Sequence, residues 1–441
     1  MVAVTALSCL GASAQKQWSL KECIDYAMQN NITLKKARLT AESAQEDVKG
    51  SRAALLPSLS ASTNHSLGYR PWQDAGTTTV TNGQVNAKID KSYYNGSYGL
   101  NAQWTVWNGN RNRNTVKLNK LTAEQSELQT DVTANSIQEQ IAQLYVQILY
   151  LTEAVKVSEQ SLETSRKNEE RGREMLEVGK MSKADLAQLS AQRATDEYSI
   201  VEARANISKY KLQLKQLLEL DGPTDFDIVV PQSSDEQALA DIPALQGVYE
   251  QALTDRPEIK SGELAVKSSD LSVKIAKAGY LPSLSMTGGF GTSTNSLSNN
   301  TWGKQFKTNF DASAGLSLSI PIFDQRQTKT NVAKARIQRQ QAVLDLQDKQ
   351  KQLYQTIEQY WLDAETNQQK FRAAQATEQS ELQSYELLSE QFQLGLKNIV
   401  ELMTGKDKLL SAQQNKLQSK YQTILAQQML KFYSGETNFN D

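Results

Sequence analysis

Histidine occurs once in the 441 residues, cysteine twice and proline eight times. The lone His65 excludes a histidine-based metal cluster. Cys9 lies in the segment read below as a leader, so an intramolecular disulfide is excluded in the mature chain. Scarce proline beside abundant Gln, Ser, Ala, Lys and Glu points to long helices. Past the N-terminus no apolar run reaches the ~18 residues of a transmembrane helix. Neither charge sign is in excess: 48 Lys and Arg face 49 Asp and Glu, for a net charge of -1. With no basic block, nucleic acid is not an expected partner. G-x-S-x-G, H-E-x-x-H, P-loop and C-x-x-C motifs are missing too. The chain therefore reads as a non-enzyme that needs no metal and no cofactor.

What is present is one unit written twice. From Leu346 to Phe392, steps of three and four land on Leu353, Ile357, Tyr360, Ala364, Phe371, Ala374, Tyr385 and Leu388, with Gln, Glu, Lys, Ser and Asp between. That is a coiled-coil seam. The stretch Gln327–Leu394 holds no proline or glycine, and as one helix would reach roughly 100 Å. At an offset of 216 residues (Gly395 to Gly179) the same ladder reappears as Ile137, Ile141, Leu144, Ile148, Leu151, Val155 and Leu162. Leu55-Leu56-Pro57-Ser58-Leu59-Ser60 likewise matches Tyr280-Leu281-Pro282-Ser283-Leu284-Ser285.

Taken in order, residues 1–14 read as a signal peptide: Val2–Leu10 is apolar and Ala12-Ser13-Ala14 is an A-x-A site. A lipoprotein reading through Cys9 stays open, with Ala6 where such a motif wants Leu. Residues 15–220 form the first repeat, 221–243 a linker, 244–435 the second repeat and 436–441 a tail. Ser19 and Glu22 form a capping box for a helix to Gln29, and Pro57 ends a second helix from about Thr33. Two strands follow, near Leu59–Tyr69 and Tyr94–Val106, joined by a polar loop, Arg70–Ser92. A rod runs from about Arg111 to Val178, turns at Gly179–Ser182 and returns as Lys183–Leu220. The second half begins with helix Ala244–Thr254 and a helix from Pro257 to near Ala278. Strands at Leu284–Phe290 and Phe310–Ile320 flank a polar loop, Thr292–Thr308. The second rod, Gln327–Leu394, turns at Gly395–Asn398 and returns as Ile399–Phe432.

The strands alternate. Leu59, Ala61, Thr63, His65, Leu67 and Tyr69 face one way, and Ser60, Ser62, Asn64 and Ser66 the other. Tyr94, Tyr98, Leu100, Ala102 and Trp104 alternate with Asn95, Ser97, Asn101 and Gln103. A soluble sandwich is one reading. Four strands separated by such long helices would make a poor sandwich core, however, and the polar faces are uncharged, as in a wet lumen. Three chains would supply twelve strands, enough to close a barrel in a membrane. Tyr69, Trp72, Tyr93, Tyr94, Trp104, Trp107 and Phe323 lie near strand ends, as in interface girdles. His65 reads as a surface residue near that interface, and Cys23 as a small buried hydrophobe.

Taken together, the doubled order of these segments resembles the TolC-like outer-membrane channels. It is carried by Asp255-Arg256-Pro257-Glu258-Ile259, the two L-P-S-L-S segments, Val106-Trp107-Asn108-Gly109, Ile320-Pro321-Ile322-Phe323-Asp324, and the turns Val178–Leu186 and Leu394–Leu402. It covers Trp18–Gly435. The resemblance implies an α+β membrane protein: a homotrimer with a long α-helical coiled-coil barrel and a 12-stranded β-barrel, four strands per chain. It implies a passive exit duct of a tripartite efflux system, set in outer-membrane lipid with most of the chain in the periplasm. Its partners would be a periplasmic adaptor and, through it, an inner-membrane RND or ABC pump. Drug or small-molecule efflux is the expected traffic. A type I protein secretion duct and an envelope-spanning structural coiled coil are the alternatives.

The resemblance also places sites. Val178, Gly179, Lys180, Ser182, Leu394, Gly395 and Leu396 would form the tips where an adaptor docks. A periplasmic constriction would fall on Glu401 and Thr404, with Asp185 beside it and with Gln393 and Lys397 where the family has its aromatic and basic partners. Thr404 stands where a second carboxylate is usual, and Ala184 precedes Asp185 where a hydroxyl is common. This gate is therefore expected to be built differently.

Overall fold

A computed structural model describes residues 17–72, 75–80, 83–88, 91–220, 222, 226–231 and 235–436, with backbone alone for 75–80 and 83–88. The expected leader with Cys9, and the tail beyond residue 436, lie outside the described residues. In chain order come β1 (Gln17–Trp18), α1 (Leu20–Asn30), α2 (Ile32–Ala53), β2 (Ser58–Tyr69), β3 (Ala75–Val80), β4 (Gly83–Lys88) and β5 (Ser92–Trp107). Then come α3 (Arg111–Glu177), α4 (Lys183–Leu217), β6 (Asp227–Ile228), α5 (Asp235–Ala238), α6 (Leu245–Asp255) and α7 (Pro257–Lys277). A 3-10 turn, Ala278–Tyr280, leads to β7 (Ser283–Asn295), α8 (Trp302–Thr308), β8 (Asp311–Ser319), α9 (Gln327–Gln393) and α10 (Ile399–Tyr433). The chain is α+β and mainly helical. It divides into two compact units assembled from interleaved segments.

One unit, Thr40–Ser126 with Glu263–Asp345, holds a four-stranded antiparallel sheet in the order β2-β5-β7-β8. Its register sets Ala61 against Leu100, Leu100 against Phe290 and Phe290 against Ala312. One face thereby collects Leu59, Leu67, Tyr94, Tyr98, Leu100, Trp104, Met286, Phe290, Leu316 and Leu318. The opposite face collects Ser60, Ser62, Asn64, Ser97, Asn101, Gln103, Thr287, Ser313 and Ser317. Side chains two apart on a strand share a face, so this separation follows directly from the alternation in sequence. Leu59, Leu67, Phe290, Leu316 and Leu318 are exposed on the single chain. Among the described residues, β2 and β8 each pair with one neighbour only, leaving two open edges.

Both strand exits turn through consecutive left-handed residues. Gly109 (φ 65°) and Asn110 (φ 62°) follow β5, and Gln325 (φ 52°) and Arg326 (φ 70°) follow β8. Each exit is fastened by a side chain on the first helical turn. Asn108 Oδ1 accepts from the Asn112 amide at 3.2 Å, and Asp324 Oδ2 from the Thr328 amide at 2.7 Å. The Thr328 hydroxyl, with that amide, holds the Asp324 carboxyl below its ordinary range. The internal repeat thus extends to backbone conformation.

Two segments expected as polar loops are more ordered. Within Arg70–Ser92, β3 and β4 form an antiparallel pair. Within Thr292–Thr308, β7 continues to Asn295 and α8 folds onto it. Seven residues are too few for a helix to stand alone, so packing against the sheet must support it.

The described residues of the other unit, Met1–Leu39 with Glu127–Gly262 and Leu346–Asp441, are helical apart from the short parallel pair of β1 with β6. Its core takes Ile137, Ile141 and Ile148 from α3, Leu353, Ile357 and Ala364 from α9, Leu214 from α4, and Met429 and Leu430 from α10. These include the seam positions of both heptad ladders. Cys23 is fully buried in this core beside Ala27, as its apolar setting in sequence suggested. Ser19 and Glu22 make the expected capping box.

Candidate functional site

The two helical turns are built alike, bond for bond. At the end of α3, the Lys180 amide donates to Met175 O at 2.8 Å and the Gly179 amide to Leu176 O at 3.0 Å. At the end of α9, the Leu396 amide donates to Gln391 O at 2.9 Å and the Gly395 amide to Phe392 O at 3.0 Å. This paired pattern is the Schellman motif, which needs a left-handed residue at its glycine. Gly179 has φ 73° and Gly395 φ 72°. Nothing lies within 4 Å of where a Cβ would stand on either. Glycine is thus required there by the backbone alone. Val178, Lys180, Ser182, Leu394 and Leu396 are all exposed around these turns.

The returning helices open on matching capping boxes. The Asp185 amide donates to Ser182 Oγ at 3.1 Å, and Ser182 Oγ donates to Asp185 Oδ2 at 2.7 Å. The Glu401 amide donates to Asn398 Oδ1 at 2.9 Å, and the Asn398 amide to Glu401 Oε2 at 3.2 Å. The two acids are therefore third residues of their helices, where the helix dipole favours negative charge.

The expected gate residues are only partly brought together. Lys397 Nζ donates to Glu401 Oε1 at 2.6 Å. That ammonium, with the Asn398 amide, holds the Glu401 carboxyl below its ordinary range. Thr404 is exposed, and its hydroxyl donates to Val400 O at 2.8 Å, one turn back on its own helix. Gln393 is exposed in the last turn of α9. Asp185 bonds to Ser182, on the other hairpin. Glu401 and Lys397 thus form one local ion pair, while the other three stand in their own turns.

A buried layer behind the turns was not foreseen. Leu189, Phe392, Ile399 and Leu402 pack with Met175, Met181, Tyr385 and Met403, so all four long helices contribute. Further along, Lys406 of α10 donates to Asp196 Oδ2 of α4, both almost wholly buried. Ser165 Oγ of α3 donates to the same oxygen at 2.5 Å, and Gln192 Nε2 to Oδ1 at 3.1 Å. Gln192 also reaches Asp407 Oδ1 at 3.2 Å. Burial pushes the Asp407 carboxyl up, against the pull of Lys406. An outer network sets Arg193 Nε on Glu169 Oε2 at 2.6 Å and its Nη1 on Glu197 Oε2 at 2.7 Å. Asp196 and Lys406 sit on different repeats and on no shared periodicity, so no sequence pattern pairs them. Their one signal is charge at positions that helical spacing turns inward.

The family described as outer membrane efflux protein matches residues 23–219 and 248–436. The chain is 22% identical over 410 residues to the outer membrane efflux protein BepC of Brucella suis, covering 91% of this chain and 81% of BepC. It is 23% identical over 411 residues to the alkaline protease secretion protein AprF of Pseudomonas aeruginosa, covering 93% of this chain and 82% of AprF. The crystal structure of the CmeC outer membrane channel of Campylobacter jejuni matches with a TM-score of 0.78 at 21% identity, covering 96% of this chain and 87% of CmeC.

Proposed function

The chain belongs to the outer membrane efflux protein family, and from that premise we propose that three copies assemble into the passive exit duct of a tripartite efflux system. The observation that carries this is the four-stranded sheet. It has one exposed apolar face, one polar face that carries Asp311 at its end, and two unpaired edges. Unpaired backbone groups are too costly to leave in hydrocarbon, so the edges must be met. Pairing β8 of one copy with β2 of the next, three times over, closes twelve strands. The apolar face then meets lipid, and the serine- and asparagine-rich face lines water.

In this assembly the long helices form the tunnel through the periplasm, and the turns at Gly179 and Gly395 are its tips. Val178, Lys180, Ser182, Leu394 and Leu396 are exposed there, held by rigid caps, and would receive a periplasmic adaptor. The adaptor joins the duct to an inner-membrane RND or ABC pump, which supplies the energy. The duct itself performs no chemistry. Three copies of Glu401 would ring the constriction, flanked by Lys397 and Thr404, with Asp185 and Gln393 beside it. Each carboxylate enters the ring already paired with Lys397, so opening can proceed by exchange of that lysine between partners.

Small uncharged or mixed solutes suit the lumen best, since its strand positions present hydroxyl and amide groups. His65 and Met286, which could favour soft metals, lie on the apolar face. Passage of a protein is the second reading, supported by the similarity to AprF across most of the chain. Light scattering of the detergent-purified chain tests the assembly. A mass three times that of one chain is expected. A stable monomer would refute the closed barrel.

A further inference from the structure

The short helix α8 lies across the apolar face of the sheet at one end of the strands. Its Trp302 ring is 5.2 Å from the ring of Tyr94, and its Phe306 ring is 4.7 Å from that of Tyr98. Both tyrosines belong to the apolar face, one register step either side of Gly96. Gln305 is buried between helix and strand. Its Oε1 accepts from the Asn295 amide at 2.8 Å, and its Nε2 donates to Asn295 O at 3.1 Å and Asn300 O at 2.9 Å. Thr292 Oγ1 donates to Phe306 O at 2.9 Å, and Asn309 Nδ2 to Ser293 O at 2.7 Å. The helix is thus fixed from both sides.

With Trp302, Gln305 and Phe306 turned to the sheet, Lys304 and Lys307 fall on the outward side, three residues apart and exposed. Arg70, over the Tyr93 ring at 4.4 Å, and Lys91 belong to the same end of the sheet. Asp311, at the start of β8 on this end, belongs to the opposite face. The result is a half-exposed aromatic pair with two cations above it, continuous with the apolar face that the proposed barrel presents to lipid.

We propose that α8 is an interface anchor: its rings rest at the boundary of the acyl region, and Lys304 and Lys307 bind phosphate groups of lipid headgroups in the facing leaflet. The inference rests on the barrel reading. Ring and ammonium are arranged as amphipathic anchors require, apolar body toward the chains and charge toward the headgroups. A seven-residue helix at a loop gains little from its own backbone, so its fixed placement makes sense where a surface is to be met.

The test uses the full-length chain in detergent and native mass spectrometry, with lipid A carrying both phosphates as the probe, and the same lipid after phosphatase treatment. Each basic residue at an anionic bilayer surface is worth about fivefold in affinity, so Lys304→Gln with Lys307→Gln should weaken phosphorylated lipid A on the order of thirtyfold at low salt. Binding of the dephosphorylated lipid should be unchanged. Equal retention of phosphorylated lipid by wild type and double variant would overturn the proposal, as would equal wild-type affinity for the two lipids. Flotation of the wild type with phosphatidylcholine vesicles separates the two levels. Flotation without phosphate preference sinks the anchor alone, whereas failure to float sinks the barrel reading and the anchor with it.

Discussion

Leu189 on α4 occupies the space that Gly172 leaves on α3: a Cβ on Gly172 would stand 2.5 Å from Leu189 Cδ1. The second hairpin makes the same contact with the sizes exchanged. Leu388 on α9 holds the place equivalent to Gly172, Gly405 on α10 the place equivalent to Leu189, and a Cβ on Gly405 would stand 2.7 Å from Leu388 Cδ1. What the repeat keeps is the combined volume at the contact, not which helix supplies it.

That relationship predicts strong coupling in the first hairpin. Gly172→Leu alone overpacks the contact, at about 1–3 kcal/mol. Leu189→Gly alone opens a cavity, at about 2–5 kcal/mol. The double variant reproduces the arrangement of the second hairpin and should melt above either single one. Thermal denaturation followed by circular dichroism reads the order. Additive losses would show that the two hairpins do not share this packing rule.

The Asp196–Lys406 pair should be costly to halve and cheap to replace. Lys406→Met leaves a buried carboxylate bonded only to Ser165 and Gln192, and should cost about 3–5 kcal/mol. Asp196→Leu combined with Lys406→Met removes both charges and should recover most of that stability. If the double variant is as unstable as Lys406→Met, the loss comes from shape and not from the uncompensated charge.

At the tips, alanine and proline should differ. Gly179→Ala or Gly395→Ala meets open space and bears only left-handed strain, about 1–2 kcal/mol. Gly179→Pro or Gly395→Pro cannot adopt the positive φ and loses the amide of the Schellman pair. Both proline variants should still assemble and insert. Both should fail to retain a periplasmic adaptor in pull-down and should lose drug resistance in cells. Full resistance in both would remove the turns from the docking surface.

Glu401 sets a pH dependence with a definite sign. Its carboxyl is held below the ordinary range by Lys397 and Asn398. The stabilisation is therefore complete above the ordinary carboxylate pKa, and is lost as pH falls through the lowered one. Protection of the amides at the start of α10 against exchange, relative to the intrinsic rate at each pH, should fall on acidification in the wild type and lose that step in Glu401→Gln. The same variant should weaken block of the channel by multivalent cations, and Thr404→Asp should strengthen it. Asp185→Asn is the control. If it alone abolishes block, the constriction belongs to the first repeat.

The rods, their turns and the faces of the four long strands were legible because each rests on short-range physics. Heptads mark the seam through Ile141 and Ile357, glycine marks a left-handed stop, and alternation assigns Leu100 and Asn101 to opposite faces. The Lys397–Glu401 pair was within reach for the same reason, being one turn apart. What escaped depends on partners distant in sequence. Helix α8 exists because Trp302 and Phe306 find Tyr94 and Tyr98 some two hundred residues earlier. Lys406 needs Asp196, and neither position advertises the other.

If this sheet closes between copies into a water-filled barrel, the purified full-length protein will carry ion current through a planar bilayer. The wild type should give discrete, long-lived conductance steps. Asn101→Lys, on the polar face, should conduct with altered ion selectivity. Leu100→Lys, on the apolar face, should lose the current, since a lysine near the bilayer midplane costs roughly 2–4 kcal/mol. A folded wild type that yields no discrete current, or two lysine variants equally impaired, would contradict the account.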